Sequence, residues 1–319
     1  MKRKIKRHDK RKRKKEQKGL NFAYDDAFRT IEEECDDALI PLVNYVFHEN
    51  YDGTAEVKRL RNEHFLDRKD GSSGKRITDS HFEITQNAVT KKYHMECESR
   101  KYDGTILLRL FEYAVLTGND SLEGSVDRLH VVLPRSGLLL LRESTKAPAE
   151  AEICIETPEG SASYHIPVIK EADFTVEKIM ENRLYFLVPF YIFTYEKELA
   201  EIESDKERLR QLLETYHKIS GWLDGECEKG ALSSYSHGVI MEASRRVLNK
   251  LAHSEHEIKE KVGGIMGGKV MDLEIIRVKH QLDKEKAKNK RTEEQNQLLQ
   301  EENERLRREL EQMKAAVGV

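Results

Sequence analysis

The stretch KRITDSHFEITQNAVTKKYHMECESR, residues 75–100, decides how this chain is read. Two runs of strand-like composition flank a polar turn, and three acids sit inside them: Asp79 in the first run, Glu96 and Glu98 in the second. Strands disfavour Asp and accept Glu poorly. A turn centred on Gln86, Asn87, Ala88 and Val89 pairs the runs antiparallel and sets Asp79 across from Glu96, and the period of two puts Glu98 on the same face. Facing like charges destabilise a sheet unless a cation lies between them, so the spacing points to a hard-metal site. Against it stands a plainer reading, a hairpin with one solvated face and with Thr78, Phe82, Ile84, Tyr93, Met95 and Cys97 on the buried one. Spacing alone leaves both open.

Working outward, Asp103 and Gly104 open a helix through TILLRLFEYAVL, with Ile106, Leu107, Leu110, Phe111 and Ala114 toward the core. LHVVLP, GLLLLRES, AEICIETPEG and SASYHIPVI then read as further strands, with TPEG at 157–160 as a tight turn. Upstream of the hairpin, YDDAFRTIEEECDDALIPLVNYVF keeps a helical period that Pro41 interrupts, predicting one kinked helix or two short ones. From Phe174 onward helical periodicity takes over. The pattern is that of an α/β core with a helical layer appended.

The chain has 319 residues, enough for one sizeable core plus extensions, and its charged share of 35% is shifted toward exposed helix. Its net charge of −3 is unevenly spread, because 11 of the first 15 residues are Lys or Arg. Residues 1–19 are therefore expected to form a disordered basic arm that binds phosphates without regard to sequence. No apolar stretch follows the arm, and LYFLVPFYIF at 184–193 is too short to span a bilayer and contains Pro189. Neither a secretory signal nor a membrane span is expected. Cys35, Cys97, Cys154 and Cys227 are scattered, which suits a reducing, cytoplasmic setting. From Met271 a heptad register places Leu299 and Leu306 at one seam position and Asn289, Asn296 and Asn303 at the other, predicting a parallel coiled-coil homodimer over 271–317. The glycine pairs in KVGGIMGGKV read as a hinge over 263–270.

Taken in order, LNFAYDDAFRTI, NEHFL, KRITDS, YHMECES, LRLFEY, YHIPV, LYFLVPFYIF and IMGGKVM resemble the PD-(D/E)XK nuclease-family transposases, the recombination-promoting nuclease group, over roughly residues 20–275. The resemblance implies a restriction-endonuclease-like core, a mixed sheet flanked by helices that presents an Asp on one strand and Glu-x-Gln or Glu-x-Lys on the next. Carried over by position, Asp79 and Glu96 would hold Mg²⁺, for which Mn²⁺ can substitute, and Asp25 of the D-x-x-F-R pattern would be the acid of the first helix. Glu98 departs from the pattern, standing where relatives carry Gln or Lys. Its expected role is to orient the attacking water or to accept its proton. Arg109 and Tyr113, one turn apart, are candidate phosphate contacts, and His94 and Ser99 flank the acids. The expected protein is a Mg²⁺-dependent DNA endonuclease tied to transposition or recombination, with its core over 20–182 and a helical region over 183–262. The competing expectation is a nuclease-fold DNA-binding or scaffolding protein without turnover.

Overall fold

A computed structural model of the chain describes residues 24–60, 63–67, 73–77, 80–118, 123–125, 128–142 and 146–267, with Leu282 and Arg305 besides. The basic arm, Asp79 and nearly all of the expected coiled coil lie outside the described residues. The chain divides into two compact units, 1–269 and 270–319. The first contains both the expected core and the expected helical region.

Helix α1 covers 24–34 and α2 covers Asp36–Phe47. The break between them falls at Cys35, whose backbone is non-helical, and not at Pro41, which lies inside α2. Asp36 and Asp37 explain the restart, because acids complement the positive end of a helix in its first turn. Then follow β1 (Glu56–Arg59), the two-stranded β2 (Glu63–Asp67) and β3 (Ser73–Ile77), β4 (Ser80–Gln86), β5 (Val89–Glu98), α3 (Ile106–Gly118), and a second small pair, β6 (Glu123–Ser125) and β7 (Arg128–His130). Strands β8 (Arg135–Leu140), β9 (Glu150–Thr157) and β10 (Gly160–Lys170) complete a six-stranded sheet in the order β1-β4-β5-β8-β10-β9.

The sheet is mixed: β1, β4 and β5 form an antiparallel meander, β8 runs parallel to β5 and to β10, and β9 returns antiparallel at the far edge. The β4–β5 register runs from Gln86↔Val89 to Ser80↔Met95, the register the sequence requires for its acids. Asn87 and Ala88 make the two-residue turn with φ of 52° and 62°. Such hairpin turns favour Asn then Gly, since Ala pays a steric penalty at positive φ. Ala88→Gly is accordingly expected to stabilise the protein by about 0.5–1 kcal/mol, read as a higher urea midpoint with an unchanged slope.

A parallel β5–β8 pair needs a crossover, and α3 supplies it over one face of the sheet. Ile106 and Leu110 of α3 pack with Leu138, Leu140, Ile166 and Val168 there. On the other face lies α2, whose Phe47 ring sits 5.0 Å from that of Tyr93. Gly137 of β8 permits this approach, because a Cβ at that position would stand 3.0 Å from the Phe47 ring and 3.3 Å from Val46. As a result β5 is covered on both sides from Tyr93 onward, which corrects the expectation of a solvated hairpin face.

The remainder stacks outside α2. A short 3₁₀ turn, Glu171–Asp173, leads to α4 (Val176–Glu181), and a longer 3₁₀ helix, Tyr185–Tyr195, is buried from Tyr185 to Phe193. It packs against α2, α4 and α7 (Ser234–Leu251), and around it lie α5 (Leu199–Ser204), α6 (Lys206–Glu228) and α8 (His256–Gly267). The Leu184–Phe193 stretch is thus an internal pillar, and among the described residues no helix is long and apolar enough to cross a membrane. Gly263, Gly264 and Gly267 lie within α8, so the helix continues through positions read as the start of a hinge.

Candidate active site

Strand β5 carries His94, Glu96 and Glu98 on the face it shares with Leu138 and Leu140 of β8, beneath α3. All three are buried, and Glu96 is only 1% exposed. Ionised carboxylates are kept in such a place only by partners. Glu96 is held on both oxygens: its Oε1 lies 3.3 Å from His94 Nε2, and its Oε2 accepts from Arg109 Nη2 at 3.0 Å. Arg109 reaches in from the second turn of α3, and the same Nη2 stands 3.6 Å from Glu98 Oε2.

Glu98 is held from the strand end. Its Oε1 accepts from the backbone N–H of Arg100 at 2.9 Å and from Arg100 Nε at 3.1 Å, while its Oε2 accepts from Arg100 Nη2 at 3.1 Å. These bonds and the adjacent charge hold the Arg100 guanidinium still more firmly protonated. Beyond His94 a polar relay continues: His94 Nδ1 lies 3.1 Å from Ser136 Oγ, Ser136 bonds to the Tyr164 hydroxyl, and Tyr164 donates to the Pro134 carbonyl oxygen at 2.6 Å. Burial raises the Tyr164 phenol above its ordinary value, keeping it a neutral hydroxyl. The relay fixes the imidazole, and the imidazole fixes one oxygen of Glu96.

Of the residues singled out from the sequence, Glu96, Glu98, Arg109 and His94 come together here. Tyr113 is buried with its ring edge-on to His94, at a centroid distance of 5.8 Å. Ser99 is buried, and its carbonyl oxygen accepts from Arg142, which also forks onto Glu196 at 2.7 to 2.9 Å and lies over the Tyr24 ring. That arginine fastens the first turn of α1, where half-buried Asp25 lies, to the strand end that bears Glu98. Asp79 falls outside the described residues. Arg100, Ser136, Tyr164 and Arg142 were missed. Only Arg100 left a trace in the sequence, as a cation two positions after an acid at a strand end.

Among the described residues no three His, Cys, Asp or Glu side chains cluster as a metal-binding group. Comparison with known protein families, with characterised proteins and with solved structures finds no match.

Proposed function

We propose that this chain is a divalent-metal-dependent DNA endonuclease with a restriction-endonuclease-like core, serving transposition or recombination. The observation that carries the reading is the pair Glu96 and Glu98, two carboxylates kept on one covered face of a central strand at considerable desolvation cost, with a guanidinium from the crossover helix aimed at both. Supporting it is the order of elements: helices, an antiparallel meander of three strands, a crossover helix, and a fourth strand parallel to the third.

Carboxylate oxygen is the donor chemistry that Mg²⁺ needs, so Glu96 fits as one ligand, with Asp79 as its partner in the expected pair. Bound there, the ion would supply an acidified water and would neutralise charge building on the phosphoryl group. The chain's own residues do the rest. His94 holds the Glu96 carboxylate in one orientation, and Arg109, with its side chain 30% exposed, is in position to move from carboxylate to phosphate as substrate arrives. DNA contact by the basic arm and dimerisation through the coiled coil belong to the same proposal.

A second reading, a nuclease-fold DNA-binding or scaffolding protein without turnover, is favoured by one observation: every oxygen of Glu96 and Glu98 already has a partner. Nicking of supercoiled plasmid in Mg²⁺ or Mn²⁺ separates the two. Under the endonuclease reading the parent nicks, and Glu96→Gln and Asp79→Ala each lose about 10³-fold or more, the worth of several kcal/mol of metal-borne charge stabilisation. A parent no faster than Glu96→Gln would leave the second reading standing.

A further inference from the structure

We infer that Glu98 and Arg100 act as one unit, in which Glu98 is a positioning residue that aims the Arg100 guanidinium at a phosphate of bound DNA. The inference deepens the endonuclease reading and rests on it.

The carboxylate of Glu98 is spent on Arg100. Three N–H groups of that one residue, the backbone N–H, Nε and Nη2, hold its two oxygens. Arg100 thus fills both accepting sites of Oε1 and one of Oε2, and Arg109 Nη2 stands 3.6 Å from Oε2, so most of the carboxylate is turned to arginine and little of it to an incoming water. The two ends of the pair also differ in exposure, for the Glu98 side chain is 9% exposed and that of Arg100 is 65% exposed. The anion is therefore the root and the cation is the tip. A guanidinium carries five side-chain N–H donors in a rigid fork, and Glu98 takes only two of them, leaving the others for an outer acceptor. Arginine suits that task because its planar fork meets phosphate oxygens two at a time.

Charge balance points the same way. Glu96 and Glu98 bring two negative charges, and Arg109 and Arg100 bring two positive ones. A free Glu98 would crowd a third acid into the expected metal site. With Arg100 attached, the position presents a cation, as a lysine there would, but one reaching further toward solvent. The substrate class this fits is a polyanion whose phosphate lies at the end of β5, beside Arg109.

The experiment uses the full chain, in 0.2 M salt to subdue the basic arm, with two binding readouts: anisotropy of a fluorescein-labelled duplex in EDTA, and Mn²⁺ titration by calorimetry. Arg100→Ala is expected to weaken duplex binding about tenfold, the usual worth of a bidentate phosphate contact, and to tighten Mn²⁺ binding several-fold by freeing the Glu98 charge. Glu98→Gln is expected to weaken duplex binding less, and the double variant to bind duplex no worse than Arg100→Ala alone, the non-additivity of residues that act through one another. Mn²⁺ affinity of the double variant should return to within about twofold of the parent, since the local charge is again balanced. Circular dichroism checks that each variant folds. Duplex affinity unchanged in Arg100→Ala would reduce the pair to an ordinary surface ion pair and overturn the inference, as would additive losses in the double variant. A parent that binds neither duplex nor Mn²⁺ would instead overturn the endonuclease reading itself. A parent that binds both without cutting still decides the inference, because both readouts are binding.

Discussion

Arg109→Ala is expected to lower the stability of the metal-free protein by about 3 kcal/mol, because it leaves the buried carboxylate of Glu96 without its guanidinium. The loss comes from stranding a charge, and not from the modest net worth of the ion pair. The double variant Glu96→Gln/Arg109→Ala should therefore recover most of it, since a neutral amide needs no counter-charge. Urea denaturation in EDTA measures both. Adding Mg²⁺ should raise the melting temperature of Arg109→Ala more than that of the parent, the ion taking the place of the lost cation. An Arg109→Ala midpoint equal to the parent's would mean that Glu96 does not depend on Arg109, and equal Mg²⁺ shifts would remove Glu96 from the metal site.

Glu171→Met is expected to do the reverse and stabilise the protein, and the gain should grow with pH. Glu171 opens the 3₁₀ turn that follows β10 and is fully buried, with neither oxygen hydrogen-bonded, and burial pushes its carboxyl far above the ordinary value of 4.5. Below that ordinary value the group is protonated in both states and favours neither. As pH rises past it, the unfolded chain releases the proton while the folded one keeps it. Stability then falls by about 1.4 kcal/mol per pH unit until the folded group ionises too. Over the roughly 2.5 units up to pH 7 this amounts to at most about 3 kcal/mol, which methionine removes. Glu32, which burial pushes up to about 7, adds a similar slope over the same window. Chemical denaturation at a series of pH values should show the parent weakening between pH 4.5 and 7, with Glu171→Met retaining a shallower decline. An unchanged slope would mean that Glu171 is ionised, and so partnered, in solution.

The hairpin was legible because its signals are local. Alternating Phe82, Ile84, Tyr93 and Met95 fix which side chains share a face, and a two-residue turn fixes the register. The fate of the opposite face was not legible, since whether His94, Glu96 and Glu98 meet water depends on where α3 crosses. That is a tertiary fact, set by β5 and β8 running parallel. The candidate site divides likewise. Glu96 and Glu98 announce themselves as acids in a strand, whereas Ser136 and Tyr164 look like any polar residues in strands until pairing brings them to His94. The Cys35 break escaped notice because Pro41 is the louder local signal, and Glu171 because a lone acid in sequence carries no sign of its burial.

The internal 3₁₀ helix sets how this protein can be divided. A 3₁₀ helix rises about 2.0 Å per residue against 1.5 Å for an α-helix, so the Tyr185–Tyr195 segment reaches roughly 22 Å instead of about 16 Å. That reach lets one short segment touch α2, which covers the sheet, and α7, which leads into the outer helices. From Tyr185 to Phe193 its side chains are buried all round, leaving no stripe of that stretch to water. Sheet and helical layer therefore share one interior, and a cut near residue 182 would bare the outer side of α2 while stripping α2 and α4 from the 3₁₀ segment, which would keep only the cover of the helices that follow it. A module boundary drawn at the end of the sheet would thus split one interior, and every described residue of the candidate site and of the helical layer falls within the single unit 1–269.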